Sequence, residues 1–220
     1  MLKIIAYFVM LIDHLGQVFF PGDIIFKIVG RLALPLFAYG IAVGYTKTNN
    51  FRLYCLRLLL LSIISQIPYY LLFQNDFLNV CFTLLSGLLI LRLIDAKVHI
   101  VLKVLFILGI CVICDLFKFE YGLYGIGTIL IFSRSKNIYF SLILQAGLIM
   151  VCTILYRFDP LQFVALFSVF VIYIFKNNSI GFNRILQYSF YPIHIILLLF
   201  LKEGIPHLDK SDILKAMGFH

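Results

Sequence analysis

Tryptophan is absent from this sequence and charge is scarce: only 13% of its 220 residues are Asp, Glu, Lys or Arg, against 63% hydrophobic. With a mean hydropathy of +1.05, the chain has too few polar residues to cover one water-soluble core, which excludes a soluble globular protein and a soluble appended domain. The missing tryptophan, with usage rich in Phe, Ile, Lys and Asn, points to an AT-rich bacterial genome. Cysteines are few and odd in number. Cys55, Cys81, Cys111, Cys114 and Cys152 all lie inside apolar runs, which argues against a disulfide framework. Cys111 and Cys114 share a helix face, yet no second pair supplies the remaining ligands of a metal site, so the thiols read as small packing residues. Also missing is a small-residue cleavage site after the first apolar run, 2–20, which is too long for a signal segment and contains Asp13 and His14; it is expected to stay in the mature protein.

What is present is membrane-length apolar sequence. About 30 Å of hydrocarbon takes roughly 20 helical residues, so the chain has room for about nine to ten spans in an all-α, polytopic helical bundle. Apolar runs between polar breaks place spans at 3–20, 25–45, 53–73, 78–95, 98–116, 122–133, 138–156, 160–175 and 185–201. The sixth is short, and is either half of a broken span or drawn too narrowly. No internal repeat or domain boundary appears: 1–202 reads as one transmembrane domain, and 203–220 as a short polar tail with a helical turn after Ser211.

The net charge of +8 and pI near 9.3 do not indicate nucleic acid, because every basic cluster adjoins an apolar run rather than an aromatic-rich polar face. They read as topology. Lys3, Lys47, Arg52, Arg57, Arg92, Lys97, Lys103, Arg134, Lys136, Lys176 and Arg184 fall on the side of the N-terminus, with Asp95 the one loop acid there. The other side carries six basic residues against eight acids. The positive-inside rule then puts the N-terminus in the cytoplasm and the chain in a bacterial cytoplasmic membrane.

Ionisable groups at membrane depth are costly and are functional candidates by default. His14 lies six residues before the outer end of span 1 and Arg31 six residues after the outer start of span 2, each about 9 Å below the surface. His194 lies about 15 Å above the inner end of span 9. Asp13, His14, Arg31 and His194 can therefore share one layer. They could form a polar knot that pins helices, but two imidazoles, a carboxylate and a guanidinium also supply the parts for proton transfer and oxyanion stabilisation. A metal on Asp13, His14 and His194 is disfavoured, since neighbouring side chains point about 100° apart on a helix. Gln66, Asn79, Asp115, Tyr121 and Tyr191 are candidates to line a cavity. Pro35 and Pro68 can kink their spans and free carbonyls, and the 121–127 stretch, Tyr-Gly-Leu-Tyr-Gly-Ile-Gly, reads either as close helix packing or as a cavity-lining break.

Several blocks occur in an order that resembles a known family. They are Lys3-Ile4-Ile5-Ala6 with Met10-Leu11-Ile12-Asp13-His14, then Gly30-Arg31-Leu32-Ala33-Leu34-Pro35-Leu36-Phe37-Ala38, then Arg57 with Ser65-Gln66-Ile67-Pro68-Tyr69-Tyr70-Leu71. Asn79-Val80-Cys81-Phe82, Tyr121-Gly122-Leu123-Tyr124-Gly125 and Phe190-Tyr191-Pro192-Ile193-His194 follow. The chain resembles the TraX family, named for the F-pilin N-acetylase and similar to the wider transmembrane acyltransferases; about 92–117 and 134–183 match in hydropathy alone. Lys3 and His14 also fit the spacing of a basic residue, ten residues and a histidine in the first span of those enzymes.

The resemblance implies acyl transfer, usually acetyl from acetyl-CoA and with no metal, to an acceptor at the membrane or beyond it: a protein N-terminus, a glycan or a small molecule. The expected roles are His14 as base, Asp13 or a nearby acid as its orienter, Arg31 facing an oxyanion or a coenzyme phosphate, and His194 as second acid/base or acceptor-binding group, with the two histidines interchangeable at this stage. Lys3, Lys47, Arg52 and Arg57 are the candidate coenzyme contacts, although the cluster near Lys47 is equally an ordinary topology signal. The rival class is a small proton-coupled transporter using the same Asp, His and Arg residues.

Overall fold

The computed structural model describes residues 1–177 and 184–204. It contains α1 (Leu2–Phe19), α2 (Ile24–Gly30), α3 (Ala33–Lys47), α4 (Phe51–Phe73), α5 (Val80–Asp95), α6 (Ile100–Leu116), α7 (Gly122–Arg134), α8 (Ile138–Tyr156), a 3-10 segment (Pro160–Leu166) running into α9 (Phe167–Phe175), and α10 (Arg184–Gly204). No strand occurs among the described residues; Leu78 and Phe119 form one isolated parallel bridge. Among the described residues, four units are long and apolar enough to cross a membrane: α1, α2 with α3 (Ile24–Lys47), α4 and α8. The expected helical turn after Ser211 and most of the 203–220 tail lie outside the described residues, while α10 itself continues to Gly204.

Side chains just ahead of the apolar runs start the helices. Asp23, Asn50, Asn79, Asn137 and Asp159 each accept a hydrogen bond from a backbone N–H in the following turn, at 2.8–3.0 Å. Such N-caps satisfy donors that the helix itself cannot, which matters most where lipid offers no substitute. The α4 and α8 helices end on Gln74 and Arg157 in the left-handed region, φ 50° and 52°.

The second span is broken rather than continuous, with α2 ending at Gly30 and α3 beginning at Ala33. Pro35 has no N–H to offer the Arg31 carbonyl four residues back, so the ladder lapses at Arg31 and Leu32. The 121–127 stretch divides between its two readings. Tyr121 has φ 62° and Gly122 φ 35°, an irregular entry, whereas a Cβ on Gly125 or Gly127 would collide with Thr83 or Leu148. The short α7 packs against α3, α5, α6 and α8 at the middle of the bundle.

Contacts between helix ends give the chain's direction. Arg134 Nη2 lies 2.6 Å from Asp95 Oδ1, and the Tyr45 hydroxyl donates to Asp95 Oδ2 at 2.7 Å, gathering the ends of α3, α5 and α7. At the opposite end, Lys202 Nζ donates to Leu72 O at 3.0 Å, and Leu78 joins the α4–α5 and α6–α7 connections, its N–H donating to Lys118 O and its carbonyl accepting from Glu120 N.

Candidate functional site

The first and last helices carry the centre of the site. Lys3, Tyr7 and His14 recur at spacings of four and seven residues, so they lie along one face of α1. Gln187, Tyr191 and His194 do the same on α10. Lys3 Nζ donates to Gln187 Oε1 at 2.9 Å, the Tyr7 hydroxyl donates to Gln187 O at 3.0 Å, and His14 Nδ1 meets His194 Nε2 at 2.7 Å. Ascending residues on one helix meet ascending residues on the other, so α1 and α10 run parallel. His14 is 5% exposed and His194 4%, and their rings are nearly coplanar at 11° with centroids 5.0 Å apart.

One further contact sets the protons. His194 Nδ1 lies 2.8 Å from Phe190 O, and a carbonyl only accepts, so Nδ1 carries the hydrogen. In neutral His194 the other nitrogen, Nε2, is then the acceptor. The hydrogen between the rings therefore belongs to His14 Nδ1, which leaves the lone pair of His14 on Nε2. No hydrogen bond engages His14 Nε2 among the described residues. The Phe73 ring stands edge-on to His14 at 5.2 Å, and Tyr191 packs against both imidazoles at 6.2 and 5.6 Å.

Asp13 turns to the other side. Its Oδ2 accepts from Gln17 Nε2 at 2.9 Å, and its carboxylate packs on Gly30 so closely that any Cβ there would overlap it. The residue orienting His14 is thus His194, while Asp13 faces the α2–α3 break and lies near Arg31. Arg31 is also near Tyr121. Among the described residues, the Arg31 Nε and the Tyr191 hydroxyl are both buried without a hydrogen-bond partner, each a deficit of about 1–3 kcal/mol.

Other candidates have structural duties or lie elsewhere. Gln66 Oε1 accepts from Asn79 N and Nδ2 at 2.9 and 2.8 Å, while Asn79 also caps α5 and donates to Ser62 O at 2.9 Å. Their amides clip α5 to α4 instead of facing open space. Asp115 is exposed at the end of α6, near Tyr156 of α8. Of the basic candidates, Lys3 and Arg57 gather at the start of α10: Arg57 stands over the Tyr188 ring at 5.8 Å, with a buried, unpartnered Nε. Lys47 and Arg52 are exposed where α3 passes into α4.

Sequence reasoning missed Glu120, which it counts as an outer-loop acid. The paired backbones of the two loops hold its side chain over the start of α5, where Oε2 accepts from Val80 N at 3.1 Å. Tyr69 faces the same carboxyl, and Tyr121, Tyr191 and Asp13 are near it. Burial, with Asp13 close by, pushes this loop carboxyl up to about 7. An acid immediately before a Tyr-Gly helix entry was the available signal. At the same end of the bundle, beside Asp13, opens a cavity of about 290 Å³.

An all-helical membrane protein with a paired-histidine centre, unsatisfied buried donors and a cavity alongside is the class that this geometry defines. Residues 1–202 match the family described as TraX protein, and the chain belongs to that family. It is similar to a probable fimbrial assembly protein, FimC of serogroup H1, from Dichelobacter nodosus: 25% identical over 231 aligned positions that cover 90% of this chain and 92% of that protein. No solved structure matches the chain.

The proton assignment is open to direct measurement. Nitrogen-15 spectra of histidine-labelled protein at neutral pH are expected to show Nδ1–H tautomers at both His14 and His194, assigned by single replacement. An Nε2–H proton on neutral His194 would contradict the assignment.

Proposed function

We propose that the protein is an integral membrane acyltransferase, moving an acyl group, most simply acetyl from acetyl-CoA, to a nucleophile on an acceptor at or beyond the outer face. The observation that carries this reading is His14 Nε2: a basic nitrogen whose tautomer is fixed by His194 and whose lone pair no group among the described residues uses. His14 takes the acceptor's proton on Nε2. As it becomes an imidazolium, its Nδ1–H strengthens its bond to His194 Nε2, which holds the ring in place. The unpartnered Arg31 Nε and Tyr191 hydroxyl are donors suited to the oxygen that becomes negative during attack. Membership of the TraX family agrees with acyl transfer, and a relative named for fimbrial assembly agrees with an acceptor beyond the membrane.

The acyl donor fits the opposite end of the same helices. Arg57, with its buried unpartnered Nε, and Lys3 stand together at the start of α10, and both suit the phosphates of a coenzyme. When bound, acetyl-CoA supplies the acyl thioester. Lys3 and His14 are eleven residues apart on α1, about 16 Å along its axis, so phosphate binding and proton transfer fall in separate layers.

A transporter would pass protons along the histidines. Here the chain of donors stops at Phe190 O, a carbonyl that cannot relay a proton, and the sequence has no paired halves. The same contacts support nine crossings. Parallel α1 and α10 need an odd number of crossings between them, and the seven intervening units, counting α2 with α3 and the 3-10 segment with α9, meet that need. Basic residues concentrated at the Lys3 end favour a cytoplasmic N-terminus in a bacterial inner membrane.

Two tests follow from this reading. His14→Ala is expected to lower acyl transfer by about 10² to 10⁴ while coenzyme binding stays within a few-fold; a normally folded variant acting at the parent rate would exclude His14 as the base. Cysteine-accessibility mapping is expected to place the 47–52 connection in the cytoplasm and Asp76 outside, and the reverse pattern would refute the orientation.

A further inference from the structure

The helix α5 packs against α3, α4, α6 and α7, yet one strip of it stays open. Between Cys81 and Arg92 every residue is buried except Phe82, Leu85, Leu89 and Arg92. Their spacings of three, four and three residues put them on one line along the helix. Around α5, α6 packs on α7 and α7 on α3, and α3 meets the start of α4 where the Tyr45 and Phe51 rings stand edge-on at 6.1 Å. The gap in this ring of neighbours therefore falls between α4 and α6, and the open strip is its floor. From Phe82 to Arg92 the strip runs ten residues, about 15 Å of helix. That is half of a hydrocarbon layer roughly 30 Å thick, the depth of one leaflet.

The strip is apolar until its last residue, and the charge there is not balanced by the protein. Asp95, one turn beyond Arg92, is already engaged by Arg134 and the Tyr45 hydroxyl, with Lys103 also near it. Lys103 Nζ donates to Ile94 O at 2.7 Å, which holds this ammonium against the end of α5. Arg92 stands over the Phe51 ring at 5.4 Å and joins no ion pair among the described residues. Three cations thus gather about one carboxylate where the strip meets the Lys3 end of the bundle. A guanidinium presents a planar fork that suits a phosphate. The ammonium of a zwitterionic headgroup would meet Lys103 and Arg134 as like charges, so the surplus selects a lipid with net negative charge.

We infer that the strip from Phe82 to Arg92 is a binding site for an anionic phospholipid, with one acyl chain along Phe82, Leu85 and Leu89 and the phosphate on Arg92. The lipid lies in the leaflet at the Lys3 end, with its headgroup at the ends of α5, α6 and α7. It completes the open side of α5, the helix that Asn79 clips to α4, and it supplies the anion that Arg92 lacks. The site is separate from the paired histidines and does not depend on what they do.

The test titrates lipid onto the full chain, stripped of lipid in detergent, and reads the first bound lipid by native mass spectrometry. The probes are phosphatidylglycerol and phosphatidylcholine with identical acyl chains. Phosphatidylglycerol is expected to bind about fivefold more tightly, the effect of one basic residue at a membrane surface. Arg92→Gln is expected to erase that preference. Leu89→Trp, which fills the strip without changing charge, is expected to weaken both lipids and leave the preference between them. Both side chains are exposed, so each variant is expected to remain monodisperse, and either one alone still tests the site. Equal binding of the two lipids by the parent chain overturns the inference, as does a preference that survives Arg92→Gln or lipid binding untouched by Leu89→Trp. Displacement of phosphatidylglycerol by free coenzyme A would also overturn it, by giving Arg92 to a coenzyme phosphate.

Discussion

The 2.7 Å contact between His14 Nδ1 and His194 Nε2 joins helices from the two ends of the sequence and fixes what the rest of the site can do. Each ring is almost wholly buried, so neither nitrogen of the pair has water as an alternative partner. The Phe190 carbonyl then determines the direction of the whole chain of donors, and the lone pair it leaves is on His14. This places the basic nitrogen on α1 and not on α10.

Buried amides brace the scaffold around the site. Gln66 and Asn79 use their amides on each other, on Ser62 and on the start of α5. Gln145 Nε2 donates to the Tyr124 hydroxyl and Thr128 Oγ1 at 2.9 and 3.1 Å, bracing α7 against α8. Arg31 Nε and the Tyr191 hydroxyl, two of six buried side-chain atoms without a hydrogen-bond partner among the described residues, belong to elements that flank the histidines or Asp13. The Pro35-dependent lapse between α2 and α3 puts Arg31 at a break in the helix, and the absence of a side chain on Gly30 makes room for Asp13. A small residue and a proline thus shape the site as much as the ionisable groups do.

Helix positions were legible in the sequence because lipid demands long apolar runs and the polar breaks between them double as helix caps. Adjacent helical residues point about 100° apart, yet the sequence reading expects Asp13 or a nearby acid to orient His14, a contact that His194 makes instead. The choice between the histidines was not legible, because it depends on which His194 rotamer reaches the Phe190 carbonyl one turn back on α10. Glu120 was hidden for a related reason: two loops 40 residues apart must zip together before its carboxyl meets Val80. Asp115 was misleading, because α6 is apolar on every side and its hydropathy says nothing about which way the end of that helix faces.

In the proposed acyl transfer the two imidazoles act as one unit. A double-mutant cycle on the transfer rate, with His14→Ala, His194→Ala and the double replacement in protein of unchanged monodispersity, tests this most directly. The account expects the double variant to be about as slow as His14→Ala alone, since His194 acts through His14. Losses that multiply would show that the histidines act independently and would contradict the paired-histidine mechanism.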